Sequence, residues 1–545
     1  MNDGMPPCVH GSAVAPASAR PARLIQSSCR GASPLRKLAG TAVSAIFRHG
    51  LVCCLACVTC CGAAAASAST TVLPGTPAGK LAAELIRHVD TDSPTKIRDW
   101  ASGVLSPAVA RDERADFVDG LVSAARDGGG LEVFDVRIDP HQPDLLQVAV
   151  KARRGGRRGL LLLAADPARP GRLGQADLVP MEDPALYAGW PTGAVSHAEL
   201  RWLIHATLDR LVRTEDFSGC LSVEDGGATV FDECRGLAER RFGVPLDGQT
   251  KFRVASIDKM FTAVAIAQLV EAGKLAWDDT LAKLIPEYPD RAAGKITVWQ
   301  LLHHTSGLGD YLVPAYFRHR ERFVDPADYL GLIARQPRLG KPGGDWNYSN
   351  AGYVLLGRIV EKASGEGYFD YVRRHVFVPA GMDASGFDSL QDVTPKLAVG
   401  YFRDGAFSSD WKADWMKVIF HGSPDGCGYS TNADLLRFAR ALREGRLVKP
   451  ATLAKMFDGE VPAGPGAYAA GFGDRVSHGR HIRGHAGGDA GTTANLQMVW
   501  ETGAAVALTS NQGPSEHWML AERIADLLAA EDASPRVAGV PARSP

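Results

Sequence analysis

Ser256-Ile257-Asp258-Lys259 stands where a short extended run, Phe252-Arg253-Val254, gives way to a long apolar segment. If Ser256 opens a helix, positions i and i+3 share a face and the hydroxyl lies within reach of the amine. The helix N-terminus also favours negative charge developing close by. This places a nucleophile beside a base, an arrangement suited to acyl transfer. Spacing alone does not decide the matter, because Ser93-Pro94-Thr95-Lys96 and Ser409-Asp410-Trp411-Lys412 share it. Ser93 before Pro94 reads as an N-cap with proline in the first turn, and nothing apolar enough follows Ser409. After Ser256, by contrast, Phe261, Val264, Ala265, Leu269 and Val270 recur at helical spacing with alanines between them. That pattern describes a helix buried on nearly every side. A lysine one turn into such a helix is costly unless it has a partner.

Three further segments give Ser256 its weight. Trp346-Asn347-Tyr348-Ser349-Asn350 holds the only Tyr-x-Asn of the chain and precedes a helical run over 351–363. Gly484-His485-Ala486-Gly487-Gly488 lies in a late small-residue strand. Ahead of both, Thr297-Val298-Trp299-Gln300-Leu301-Leu302-His303-His304-Thr305-Ser306-Gly307-Leu308 runs from a threonine cap to a glycine stop. Ser-x-x-Lys, Tyr-x-Asn and His-x-Gly in this order resemble the serine β-lactamase and penicillin-binding-protein superfamily. The chain is most similar to the branch of class C β-lactamases, D-Ala-D-Ala carboxypeptidases, D-aminopeptidases and related esterases. The Leu-Leu-His-His-Thr-Ser-Gly-Leu run and Tyr429-Ser430-Thr431 carry that likeness, which covers about residues 210–530.

The resemblance implies roles residue by residue. Ser256 is the acylated nucleophile, Lys259 its proton partner, Tyr348 the general base or proton shuttle, and Asn350 the group that holds the substrate amide and the lysine. His485 replaces the lysine usual at the third motif, Gly487 leaves room for substrate, and the amides of Ser256 and Gly488 form an oxyanion hole. Two fixed amide donors stabilise a tetrahedral oxyanion by about 3 kcal/mol each. A tyrosine with an ordinary pKa near ~10 serves as base only if a cation such as Lys259 lowers it. His485 binds a carboxylate best when protonated, so acidic substrates are expected to lose affinity above about pH 7 more than neutral esters do. His303 and His304, at a helix end, are expected to satisfy local carbonyls. His478, His481 and His485 lack a fourth spaced ligand, so neither metal nor organic cofactor is expected.

The elements that must position these groups come in order along 545 residues, 45% hydrophobic and 22% charged, with a formal net charge of −1. That balance gives no general pull toward nucleic acid. Residues 1–68 read as a targeting segment: Arg20, Arg23, Arg30, Arg36, Lys37 and Arg48 precede an uncharged stretch over 51–66 that ends in Ala66-Ser67-Ala68. An exported protein, periplasmic or secreted, follows. Residues 73–180 read as a small α+β accessory domain, with helices over 80–89, 94–105 and 111–126 and then strands. Phe134, Val136 and Ile138 share one strand face, and Leu146, Val148 and Val150 share another. By element order it resembles the domain of nuclear transport factor 2. Lys151, Arg153, Arg154, Arg157 and Arg158 read as a solvated hairpin tip, or as a contact for an anionic cell-wall polymer.

Pro-rich 181–192 reads as a linker, 193–532 as the β-lactamase-like hydrolase domain, and 533–545 as a disordered tail. The hydrolase domain starts with a Ser196-to-Glu199 capping box and an amphipathic helix. Cys220 and Cys234 flank a hairpin turn; a disulfide and two unbridged thiols both fit. Cys427 reads as a small packed residue. The fold class is α/β (α+β), an antiparallel sheet flanked by helices with a helical subdomain. The expected function is a serine hydrolase acting through an ester on Ser256, on a small-molecule or peptide substrate such as a D-amino-acid peptide or small ester. A non-turnover penicillin- or cell-wall-binding protein of the same fold is the competing expectation.

Overall fold

The computed structural model describes residues 71–530 apart from positions 108, 110, 140, 141, 182, 404, 465 and 514. The expected leader over 1–68 and tail over 533–545 lie outside the described residues. In the accessory domain, α1 (Pro77–Thr91), α2 (Pro94–Val104) and α3 (Arg111–Arg126) precede β1 (Leu131–Ile138), β2 (Leu146–Ala152), β3 (Arg158–Asp166) and β4 (Arg169–Met181). The strands form an antiparallel meander in chain order. Ser93 caps α2 by accepting from the Lys96 amide, with Pro94 in the first turn, the structural role read for that Ser-x-x-Lys. Leu85, Ile97, Leu121, Val148, Val150 and Leu161 fill the core.

One expectation fails in β1. Its register shifts between Val133 and Asp135, so two residues oppose one and the alternation slips. Leu131 and Val136 are buried while Ile138 is exposed. Phe134, at the shift, therefore falls out of step with Val136 and Ile138, and of the three only Val136 is buried. The linker reading is also corrected. Strand β4 continues to Met181, and Leu186, Tyr187 and Trp190 then pack on the core of the larger domain, with Arg210 donating to the carbonyls of Ala185 and Leu186. Apolar side chains in this segment gain more from burial than from free motion.

The larger domain opens with α4 (His197–Arg213), whose Ser196 cap accepts from the Glu199 amide. The hairpin β5 (Gly219–Asp225) and β6 (Ala228–Arg235) follows, with Cys220 opposite Cys234 and the two bridged. Short strands come next: β7 (Leu237–Glu239) with β8 (Val244–Pro245), then β9 (Phe252–Arg253), β10 (Tyr401–Arg403) with β11 (Trp411–Ala413), and β12 (Tyr429–Ser430), which pairs back to β9. The helices of this domain that bear on the site are α5 (Asp258–Glu271), α6 (Val298–Leu302), α7 (Asn350–Ser364) and α8 (Asn432–Arg443). The chain then runs through β13 (Val461–Ala463), β14 (Gly466–Ala469), β15 (Phe472–Ser477), β16 (Arg480–Asp489), β17 (Thr492–Val499) and β18 (Ala504–Ser510) to α9 (Met519–Ala529).

These last six strands and the first hairpin form one antiparallel eight-stranded sheet, in the order β13-β14-β15-β16-β17-β18-β5-β6. Alternation along its central strands divides two layers. Ala494, Leu496, Met498, Ala505 and Ala507 meet the cluster built on α5, α7 and α8. Val499, Val506 and Leu508 meet α4 and α9. Helix α5 lies at the centre, with eleven of its fourteen residues buried, Asp258 and Lys259 among them.

The two domains are stitched together by the turn between β10 and β11. Phe407 leaves the larger domain and enters the accessory core, 3% exposed. Arg157 donates to the Ser408 carbonyl, and Asp127 accepts from the Ser409 amide. Arg153 pairs with Asp90 and Arg158 with Asp183. The arginines of the expected hairpin tip are thus largely engaged within the molecule.

Candidate active site

Ser256 sits in a 3-10 turn, Ala255–Ile257, that leads directly into α5. Ala255 has φ 46°, a left-handed conformation costly for a residue with a Cβ, and one tolerated where surrounding structure enforces it. The enforcement is visible on both sides. The Cys427 amide donates to the Ala255 carbonyl, and β16 presses in from the other side. At Gly487 a Cβ would lie 2.2 Å from the Val254 carbonyl oxygen and 3.1 Å from the Ser256 nitrogen. Gly487 therefore lets the strand approach the nucleophile turn, rather than leaving room for substrate as expected. Open space belongs to Gly488, where a Cβ would meet nothing within 4 Å and which borders the same cavity as Ser256.

Lys259, one turn along, is fully buried. An ammonium has three N–H donors, and all three are placed: on Ser256 Oγ at 3.1 Å, Asn350 Oδ1 at 2.8 Å and the Asp425 carbonyl at 2.5 Å. Its Nζ also lies 4.8 Å from the Tyr348 ring centroid. Thr262, on the next turn of α5, donates to the Pro424 carbonyl and so holds the loop that supplies Asp425. Tyr348 Oη donates to Ser256 Oγ at 2.8 Å. Ser256 and the three groups expected around it, Lys259, Tyr348 and Asn350, converge.

Burial pushes the Tyr348 phenol up, and the neighbouring Lys259 ammonium only partly offsets this. In the resting site Ser256 Oγ accepts from both neighbours, so activation needs the Tyr348 phenol to give up its proton beside the Lys259 amine. The expected lowering of the tyrosine by lysine is present but outweighed by desolvation.

His485 is in the cleft, its ring centroid 6.4 Å from that of Tyr348, but its expected charge is overturned. Nδ1 donates to the Ala486 carbonyl at 2.5 Å and Nε2 accepts from Tyr468 Oη at 3.0 Å. Burial, with Lys259 nearby, holds its pKa down to about 3. A neutral imidazole with both nitrogens engaged cannot anchor a substrate carboxylate at pH 7, so the expected loss of acidic substrates above that pH has no basis at His485.

Asp310, Asp425 and His304 belong to the site and were missed. Asp310 Oδ2 accepts from Asn350 Nδ2 at 2.8 Å, which aims the amide oxygen at Lys259. Asp425, pushed up to about 6 by burial, accepts from Tyr311 and Ser423. Asp310 stands two residues past the Leu-Leu-His-His-Thr-Ser-Gly-Leu run, a signal within reach; Asp425 lies between Pro424 and Gly426 and reads only as a turn. Cys427 is packed, its thiol donating to Asp489 and pushed up by burial. Among the described residues no group of three or more His, Cys, Asp and Glu side chains is arranged to hold a metal ion. The cavity beside Ser256, about 20 Å³, is bordered by Leu312, Phe317, Lys417, Ile419 and Gly488.

A hydroxyl held between an ammonium and a phenol, in a turn fixed by strand and loop, is equipped for nucleophilic acyl transfer. Residues 204–531 match the Beta-lactamase family, and the chain belongs to that family. It is 31% identical over 263 residues to a putative penicillin-binding protein, PbpX, of Bacillus subtilis, covering 47% of this chain and 62% of that protein. It is 31% identical over 292 residues to esterase EstB of Burkholderia gladioli, covering 47% of this chain and 74% of the esterase. In structure it resembles a D-amino acid amidase from Ochrobactrum anthropi with a TM-score of 0.51 at 26% identity, covering 61% of this chain and 98% of the amidase.

Proposed function

We propose that this protein is a serine hydrolase that forms an acyl ester on Ser256 and releases it to water, acting on small esters or on amides and peptides of D-amino acids. The observation that carries the reading is the position of Ser256 Oγ, 3.1 Å from Lys259 Nζ and 2.8 Å from Tyr348 Oη. Once Tyr348 has lost its proton, the phenolate takes the serine proton as Oγ attacks the carbonyl. The amides at Ser256 and Gly488 are the donors for the oxyanion. The leaving group collects the proton, and water repeats the sequence on the ester. The likeness to EstB and to the D-amino acid amidase supports ester and D-amide substrates. The neutral His485 argues against substrates that depend on a carboxylate anchor at β16, carboxylated β-lactams among them.

The Cys220–Cys234 bridge supports the export reading, because such bridges persist in oxidising compartments. The test is incubation with a fluorophosphonate and with p-nitrophenyl acetate, D-alanine amide and nitrocefin, followed by mass mapping. Labelling of Ser256 with turnover of the ester or amide is the expected result. A permanent acyl adduct without turnover points instead to an acyl-binding protein, and no adduct at Ser256 overturns the proposal.

A further inference from the structure

Tyr348 lies on an irregular segment between the turn at Pro342 and α7, so no helix or strand ladder sets its direction. What brackets it is a single residue from another element. His304, one residue past the C-cap of α6, accepts with its carbonyl from the Asn347 amide at 2.8 Å. With its ring Nδ1 it accepts from the Ser349 amide at 3.1 Å. The two bonds clasp the backbone on either side of Tyr348. Between them the imidazole lies against the Tyr348 ring, centroids 4.4 Å apart, with Tyr468 at 4.6 Å and Tyr353 at 5.1 Å on its other contacts. His303 shows the contrast: its Nδ1 bonds only the Trp299 carbonyl of its own helix, the local role expected for both histidines.

His304 is retained at two costs. Its φ is 55°, in the left-handed region that a side-chain-bearing residue adopts only under constraint. Its Nε2 is buried with no hydrogen-bond partner. Accepting from a peptide N–H also demands that Nδ1 carry no proton, which makes the ring a neutral imidazole with hydrogen on Nε2. Burial, together with Lys259, His485 and His303, keeps it in that form.

We propose that His304 is the positioning residue of the tyrosine base: its unprotonated Nδ1 and its carbonyl fix the backbone around Tyr348 so that Oη meets Ser256 Oγ. This inference rests on the acylation of Ser256 proposed above. The test compares the full-length protein with His304→Phe, which keeps a ring but removes the acceptor, and His304→Asn, which restores an acceptor oxygen near the Nδ1 position and tolerates positive φ. Turnover of p-nitrophenyl acetate is normalised to the fraction of Ser256 that fluorophosphonate labels at saturation. His304→Phe is expected to lower kcat roughly 100-fold with KM changed less than about threefold, as for a misplaced reacting group. His304→Asn is expected to regain at least about tenfold of that loss in kcat. A Phe variant within about threefold of the parent kcat, or an Asn variant no better than the Phe variant, overturns the proposal. If the Phe variant does not fold, the ring ¹⁵N shifts of His304 in the parent protein decide. The Nε2–H tautomer with Nδ1 accepting supports the clasp, and a proton on Nδ1 overturns it. A parent protein that neither turns over nor labels at Ser256 refutes the hydrolase reading instead, and the ring tautomer still judges the clasp.

Discussion

The accessory domain and the larger domain differ in where they gather buried ionisable groups. In the first, most ionisable groups lie at the surface and pair there, as in Arg98 with Asp119 and Arg153 with Asp90, and the core is built from apolar side chains. In the second, Lys259, Asp258, Asp425, His304 and His485 are all nearly or fully buried around one hydroxyl. Exposed pairs contribute at most about 1 kcal/mol, whereas each buried ion costs several kcal/mol unless it is satisfied. The domain that concentrates the second expense around one hydroxyl is the one with a candidate site. Its sheet and helices provide the hydrogen bonds that make the burial tolerable, such as the three acceptors around Lys259.

Four measurements break or sharpen this contrast. Ser256→Ala is expected to lower kcat/KM for p-nitrophenyl acetate by roughly 10⁴-fold or more, as for loss of an activated serine. Arg98→Ala in the accessory domain should leave that rate unaltered; if both variants behave alike, the division of labour is wrong. Phe407→Ala empties a buried aromatic from the accessory core and should cost about 3 kcal/mol in urea unfolding. A cost near zero means that the hairpin does not tie the domains.

The third measurement is stability against pH. Asp258 is pushed up to about 8 by burial, so its contribution is complete below the unfolded carboxylate value and is lost as pH rises toward 8. The buried histidines His304 and His485, held below their ordinary value, act in the opposite sense, losing stability as pH falls below about 6.5. Above about 6.5 only the raised carboxyls remain, so Tm should fall between about pH 6.5 and 8 and fall less in Asp258→Asn. Parallel curves for the two proteins sink the assignment. The smallest effect concerns Lys417, the cation at the cavity rim, with its ammonium 4.6 Å from the Phe402 ring centroid. Lys417→Ala should raise KM for a carboxylate-bearing ester about threefold more than for a neutral one, in line with a partly exposed charge pair. Equal changes remove Lys417 from substrate recognition.

Much of this was legible in the chain because the signals are local. The α5 pattern from Phe261 onward, the Ser93, Ser196 and Thr297 caps, and the Leu146, Val148 and Val150 alternation all depend on neighbours a few residues away. The bulge in β1, the docking of Tyr187 and Trp190, and the entry of Phe407 into a foreign core depend on what lies opposite, which no window of sequence contains. His485 illustrates the same limit in the site. Its residue type suggested a titrating anchor, but Tyr468 and the Ala486 carbonyl take both nitrogens and burial removes the charge.

By itself the sequence determined which groups to look for at the candidate site: a serine and a lysine one helical turn apart, a tyrosine and an asparagine two residues apart, and a glycine-rich strand, since residue type and short spacing need no partner to be read. Only the tertiary structure decided their states, because protonation and aim depend on desolvation and on hydrogen bonds from distant elements. Thus Tyr348 is held as a phenol, His485 as a neutral ring, and His304, which looked like the trim of a helix end, clasps the segment that carries the base.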